Sequence, residues 1–222
     1  MKEYNNLIDK IFIINLETRP DRKEQIINEM NKHNISTNEY EIFNAIRPSI
    51  QDVNIWNTRY CEHVRKDVNP RNFTGYCQGC LGCLRSHVEV CKLALTRGYK
   101  NILILEDDTE FIDNFNKLEE YSKQISYNYD MLYLAGSHLG QIAMQGNNIA
   151  KIVGTHTTGS YCIKENAMKY LIDNINGYLK EIDVFYAEEI QTRFNCYTVI
   201  PHITKQRHGY SDIQQNNVKY SL

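Results

Sequence analysis

Glu106, Asp107 and Asp108 are three consecutive carboxylates placed directly after the apolar run Asn101-Ile102-Leu103-Ile104-Leu105. An uninterrupted apolar stretch of strand length fits a strand buried on both faces of a parallel sheet. In open α/β sheets, ligands bind where such strands leave the sheet. Adjacent carboxylates at a partly buried site repel by about 1 kcal/mol or more unless a cation sits between them. All-oxygen ligands suit a hard ion, Mn2+ or Mg2+, rather than Zn2+ held by thiolates. A metal-dependent site is therefore one reading. The other is an acidic strand-to-helix turn, with Asp108 or Thr109 capping the helix that follows.

A second set of metal-competent side chains is Cys77, Cys80 and Cys83, a C-x-x-C-x-x-C run near His63 and His87. It admits a zinc or iron–sulfur reading. Against that, residues 80–91 follow an amphipathic helix pattern in which cysteine serves as a small core hydrophobe, and no second C-x-x-C pair closes a tetrahedron. Seven cysteines is an odd number, and their spacing is not a disulfide framework.

These groups need elements to hold them. Residues 10–16 read as a first buried strand, and Pro20 with Asp21 and Glu24 opens a helix striped by Ile26, Ile27 and Met30. A second strand is expected over 41–45, then a polar, irregular loop region over 47–76 with one short helix. Residues 82–97 form a helix stopped by Gly98, and the acidic strand follows at once. Further helices are expected over 115–125, 165–175 and 184–194, and strands over 130–135, 149–153, 160–163 and 196–200. Residues 201–222 are polar yet carry His202, Lys205, Arg207 and His208, unusual for a frayed end.

The whole chain sets bounds on function. At 222 residues it is expected to be a single domain, 1–222. A formal net charge of −2 argues against nucleic acid as the main partner. No apolar run approaches the ~18 residues of a membrane helix, and the first residues lack the basic start and apolar block of a signal peptide. The expectation is a cytoplasmic protein, with membrane-peripheral or viral settings left open.

Several segments, in order, make the chain similar to glycosyltransferase family 25, the lipopolysaccharide and procollagen galactosyltransferase type. They are IFIINLETRPDR at 11–22, GCLRSHVEVCKLAL at 82–95, ILILEDD at 102–108, DMLYLAG at 130–136, GSYCIKENAMKYL at 159–171 and IDVFY at 182–186. Each is weak alone; six in order are specific. The resemblance implies a GT-A type α/β domain around a mixed, mostly parallel sheet. It also implies an inverting hexosyltransferase using a UDP-sugar, galactose or glucose, with Mn2+ or Mg2+. The acceptor hydroxyl would belong to a glycan, a lipid-linked saccharide such as lipopolysaccharide, or a hydroxylysine-type protein; homo-oligomerisation stays open.

The same resemblance distributes roles. Asp108 would bind the metal, Glu106 the ribose or a metal-bound water, and Asp107 either. A late third ligand would be His208, with His202 as competitor. Asn15 and Leu16 would cradle uracil and ribose, and Arg19 or Arg22 would reach the pyrophosphate unless either is only a helix-surface charge. Ser86 would support the donor site, with His87 beside it as support or as a core histidine. Asp183 would be the general base, or a helix N-cap as well, with Glu188 and Glu189 as alternatives. The 201–222 segment would close over the donor. Two other classes compete: an inactive nucleotide-sugar or glycan-binding module, and a small zinc-binding interaction protein built on Cys77, Cys80, Cys83 and His87.

Overall fold

The computed structural model describes residues 7–63 and 73–220, without the side chains of 57–63 and of residue 73. Strand β1 is Lys10–Asn15, followed by α1, Pro20–Lys32, β2, Tyr40–Asn44, α2, Ile50–His63, and α3, Phe73–Thr96. Then come β3, Asn101–Glu106, β4, Thr109–Phe111, α4, Lys117–Lys123, β5, Met131–Tyr133, β6, Ser137–Met144, β7, Ile149–His156, and β8, Ser160–Lys164. The chain ends with α5, Glu165–Asn174, α6, Ile182–Phe185, which runs into a π-helical turn at Tyr186–Ile190, and strands β9, Cys196–Val199, β10, Thr204–Gln206, β11, Gly209–Ser211, and β12, Asn216–Val218.

Among the described residues the main sheet has eight strands in the order β2-β1-β3-β8-β5-β9-β7-β6. Pairings β1–β2, β1–β3 and β5–β9 are parallel. Those made by β8 and β7 are antiparallel. Six strands thus share one direction and β7 and β8 oppose it, which is the mixed α/β sheet expected from the sequence.

The period of two along a strand explains the layers. Ile11, Ile13, Leu103 and Leu105 pack on one face with Ile26 and Met30 of α1 and Leu118 of α4. Phe12, Ile14, Ile102 and Ile104 pack on the other with Leu84, Val88 and Cys91 of α3 and Met168 and Leu171 of α5. Both faces of β1 and β3 are therefore buried, as their unbroken apolar runs require.

Two sequence expectations change. Within 47–76 the described residues are largely helical rather than irregular: they contain α2 and the start of α3, which begins nine residues before position 82, while 64–72 lie outside the described residues. Ser49 accepts from the Asp52 N–H at 3.1 Å and donates to the Asp52 carboxylate at 2.7 Å, a Ser-x-x-Asp start signal for α2. Val53 and Trp56 then bury against Cys77, Cys80 and Leu81, which stabilises both helices. Second, no helix is capped by Asp108 or Thr109. Residues 109–111 form β4, paired antiparallel with β10, and the next helix starts at Lys117.

The other differences are smaller. Residues 184–194 are not one α-helix: α6 begins at Ile182 and passes into the π turn. Strand β6 carries no apolar alternation and lies exposed at the sheet edge, so periodicity alone did not mark it. Gly98 does end α3 as expected, at φ +78°.

Candidate functional site

The alternation that splits the core also splits the acidic triplet. Glu106 continues the Ile102 and Ile104 face toward α3, whereas Asp107 continues the Leu103 and Leu105 face toward α1. Asp107 accepts from Asn15 Nδ2 at 2.7 Å and from Arg22 at 2.9 Å. Asn15 ends β1 and Arg22 sits in the first turn of α1, so parallel pairing of β1 with β3 brings all three together. On the other side, Glu106 Oε1 accepts from the Thr158 hydroxyl at 2.6 Å and lies 3.4 Å from His87 Nε2.

Asp108 is treated differently. Its backbone carbonyl accepts from the Arg207 N–H at 2.7 Å, and its carboxylate takes a hydrogen bond from Gln206. Arg22 is 3.7 Å away. Among the described residues its Oδ1 is buried without a hydrogen-bond partner. Burial and the neighbouring Glu106 charge push the Asp108 carboxyl up to about 7. Burial also raises Asp107, against the pull of Arg22. At Glu106 burial works upward too, but the adjacent His87 imidazole and the hydrogen bond from Thr158 outweigh it and hold that group below the usual range.

Across from the triplet, the loop between β7 and β8 meets α6. Asp183 Oδ2 accepts from the Thr157 N–H at 3.2 Å and lies 3.8 Å from His156 Nδ1, while Oδ1 accepts from its neighbour's N–H at Val184. Burial would raise Asp183, yet these donors lower it, and its carboxylate raises His156 in return. Thr157 holds φ +73°, a strained conformation for a β-branched residue. Nearby, a solvent-open cleft is lined by Thr157, Gly159, His202, Lys205, Gln206 and Tyr220 among others.

The remaining expected site residues lie as follows. The Leu16 carbonyl accepts from Arg19 N–H, closing the turn into α1. Arg19 grips Asp21 at 2.8 Å and Asp212 of the C-terminal segment at 2.5 Å. Ser86 is fully buried, donating to Gly82 carbonyl and accepting from Ile46 N–H; it ties α3 to the chain after β2. His208 is exposed and its Nδ1 accepts from Tyr220 N–H at 3.0 Å. His202 pairs with His138 at 3.2 Å. Glu188 is engaged by Lys180 and Tyr178, and Glu189 by Arg193 and Tyr170.

Cys77, Cys80 and Cys83 do not converge with His87 on one point. Residues at i, i+3 and i+6 fan over about 120° of a helix surface, and Cys77 and Cys80 are buried in the cluster with Val53 and Trp56. The four-residue zinc site is thereby excluded. Sequence reasoning missed His156, Thr157, Thr158, Gln206 and Tyr220. The run Thr155-His156-Thr157-Thr158-Gly159-Ser160 between two strands was the available signal, since small polar residues in such a loop supply donors without bulk.

The family model described as "Glycosyltransferase family 25 (LPS biosynthesis protein)" matches residues 8–186. The chain belongs to glycosyltransferase family 25. Among relatives, procollagen galactosyltransferase 2 of Mus musculus is 26% identical over 130 residues, covering 57% of this chain and 20% of that protein. Inactive glycosyltransferase 25 family member 3 of Mus musculus is 25% identical over 150 residues, covering 62% and 24%. The chain thus spans about a quarter or less of these relatives. Among solved structures, A197 from STIV aligns at TM-score 0.46 and 12% identity over 94% of this chain and 92% of that one.

The family 25 match takes in Asn15, Arg22, the triplet and Asp183, and ends at the π turn. Gln206 and Tyr220 lie beyond it, so their placement beside Asp108 is a property read from this chain alone. Among the described residues no helix is long and apolar enough to cross a membrane.

Proposed function

We propose that this family 25 protein is an inverting hexosyltransferase that moves galactose or glucose from a UDP-sugar to a hydroxyl of a glycan, lipid-linked saccharide or hydroxylysine-type protein. The carrying observation is Asp108: a buried carboxylate with an unpartnered oxygen, raised by burial and by Glu106, beside an Asp107 already engaged by Asn15 and Arg22. A buried anionic oxygen without a donor is relieved by a cation, so the residues fit Mn2+ or Mg2+. Asp108 would hold it, and Glu106 would reach the ribose or a water bound to the ion. When bound, the ion neutralises the charge that grows on the departing diphosphate.

The chain's own residues divide the remaining work. Asn15 and Leu16 orient uracil and ribose at the carboxyl end of β1, where a parallel sheet presents its ligand crevice. Arg22 pairs with Asp107 and, being tied to the Tyr210 carbonyl as well, links the donor to residues 201–222. That segment closes over the donor, with Arg19–Asp212 as its second tie. His208 would serve as a further ligand to the ion.

Asp183 takes the acceptor proton. Its lowered carboxyl is ionised at neutral pH, and His156 and Thr157 N–H fix its orientation, whereas Glu188 and Glu189 are bound to cations. Release of UDP from UDP-galactose and UDP-glucose, with Mn2+ and with EDTA, tests the proposal. Turnover only with metal, and lost in Asp108→Ala, supports it; metal-independent or absent turnover with every acceptor class counts against it. The name of the inactive mouse relative favours one other reading, a binding module that holds the nucleotide-sugar without transfer. Metal-dependent UDP binding without turnover would select it.

A further inference from the structure

Helix α3 carries Cys83 and His87 at i and i+4, on one face, opposite the end of β3. The Cys83 thiol, His87 imidazole and Glu106 carboxylate each offer one ligand atom, and the three atoms lie within 4.8 Å of one another. Among the described residues this is the group of three such side chains that converges. The His87 ring is 1% exposed. Its Nδ1 meets the Tyr161 hydroxyl at 2.7 Å, which in turn meets the Tyr186 hydroxyl at 2.8 Å, while its Nε2 is buried without a hydrogen-bond partner. A histidine with one nitrogen tied to a hydroxyl and the other left bare toward a thiol and a carboxylate has the arrangement of a ligating histidine.

We propose that Cys83, His87 and Glu106 form a site for a thiophilic divalent cation, Zn2+ by ligand type, separate from the hard-cation position at Asp108. One sulfur, one imidazole nitrogen and one carboxylate oxygen are borderline-soft donors that favour Zn2+ or Co2+ over Mn2+ or Mg2+. With bonds of about 2.0–2.3 Å, the edges of a tetrahedron are about 3.3–3.7 Å. His87 Nε2 and Glu106 Oε1 already stand 3.4 Å apart, and the Cys83 side chain has less than 1.5 Å to close on either. Thr158, bonded to Glu106 and 4.0 Å from Cys83 Sγ, steadies both from outside the site. Glu106 is 20% exposed, which gives the ion an entry from solvent. On binding, the thiol proton leaves to solvent as the metal–sulfur bond forms. Where Glu106 also serves the donor, a consequence that rests on the proposed transferase reading, Zn2+ loading withdraws it and weakens UDP binding.

The test is titration of the purified full chain with Co2+ alone, read by absorbance. The expected result is one equivalent bound with a thiolate-to-cobalt charge-transfer band and intense d–d bands of a tetrahedral ion, displaced by Zn2+. The band disappears in Cys83→Ala and persists in Cys80→Ala. No charge-transfer band in the wild type, or a band that survives Cys83→Ala, overturns the site. X-ray absorption of the wild-type Zn2+ form needs no variant: a single sulfur among nitrogen and oxygen ligands supports the assignment, and two or more sulfurs overturn it. None of these readouts requires transferase activity, so their failure is distinct from failure of the enzymatic reading.

Discussion

The two walls that flank the end of β3 are built on opposite principles. On the α1 wall the charges nearest the site are answered: Asp107 by Asn15 and Arg22, Arg19 by Asp21 and Asp212. On the wall made by α3, the β7–β8 loop and α6, groups are held in place but left chemically open. His87 Nε2 has no partner, Thr157 is strained, and Asp183 is oriented by N–H donors and a histidine rather than neutralised by a lysine or arginine. Asp108 stands between them with one bare oxygen. A saturated wall fixes geometry; an open one reacts or binds. Three adjacent carboxylates thereby acquire three environments from nothing more than strand alternation and the turn that follows.

If the open wall carries the chemistry, Asp183→Asn lowers transfer by about 10²–10⁴-fold while UDP affinity holds. Single-turnover kinetics beside UDP calorimetry reads both, and an equal fall in the two would move Asp183 to the binding wall. If the α1 wall is chiefly a scaffold, Arg22→Met destabilises the protein by about 3 kcal/mol in urea unfolding, because Asp107 and Asp108 lose their cation while buried. Adding Asp107→Asn should restore part of that loss. Unchanged stability would mean that Arg22 answers solvent rather than Asp107.

Smaller effects sharpen the contrast. The Asp108 carboxyl is raised to about 7 from a reference of 3.8, so the folded state holds its proton more tightly than the unfolded chain. Metal-free protein should therefore lose stability as pH rises from about 4 to about 7, and Asp108→Asn should flatten that slope in thermal melts. Over the same range Mn2+ affinity should rise by up to about tenfold per pH unit and level off above it, because the ion competes with one proton. Glu188→Gln should leave transfer within about twofold of wild type, since Glu188 belongs to a surface pair with Lys180.

The sequence made the first wall legible and the second only in part. Strands β1 and β3 announce themselves by apolar runs, and the parallel order places Asn15, Arg22 and the triplet together without further information. Helix α2 was hidden because its support is tertiary: Trp56 and Val53 pack on a part of α3 that polar and cysteine residues disguise. The site's other side draws on residues 83, 87, 106, 156–158 and 183, distant in sequence and adjacent only through the β3–β8 and β7–β9 pairings. Ser86 shows the limit of motif reading: it stands in a recognisable block, yet its hydroxyl is spent on Gly82 and Ile46. The C-x-x-C-x-x-C spacing misled in the opposite way, since helical rotation separates Cys77 from Cys83 and leaves Cys83 to join His87 instead.

Calorimetric titration of UDP into wild type and Asp108→Ala, each with Mn2+ and with EDTA, reads metal-dependent donor binding at Asp108 without need of an acceptor. Binding in wild type should require Mn2+ and be lost, by about 100-fold or more, in a folded Asp108→Ala protein. Equal UDP affinity with EDTA, or full affinity in Asp108→Ala, would contradict it.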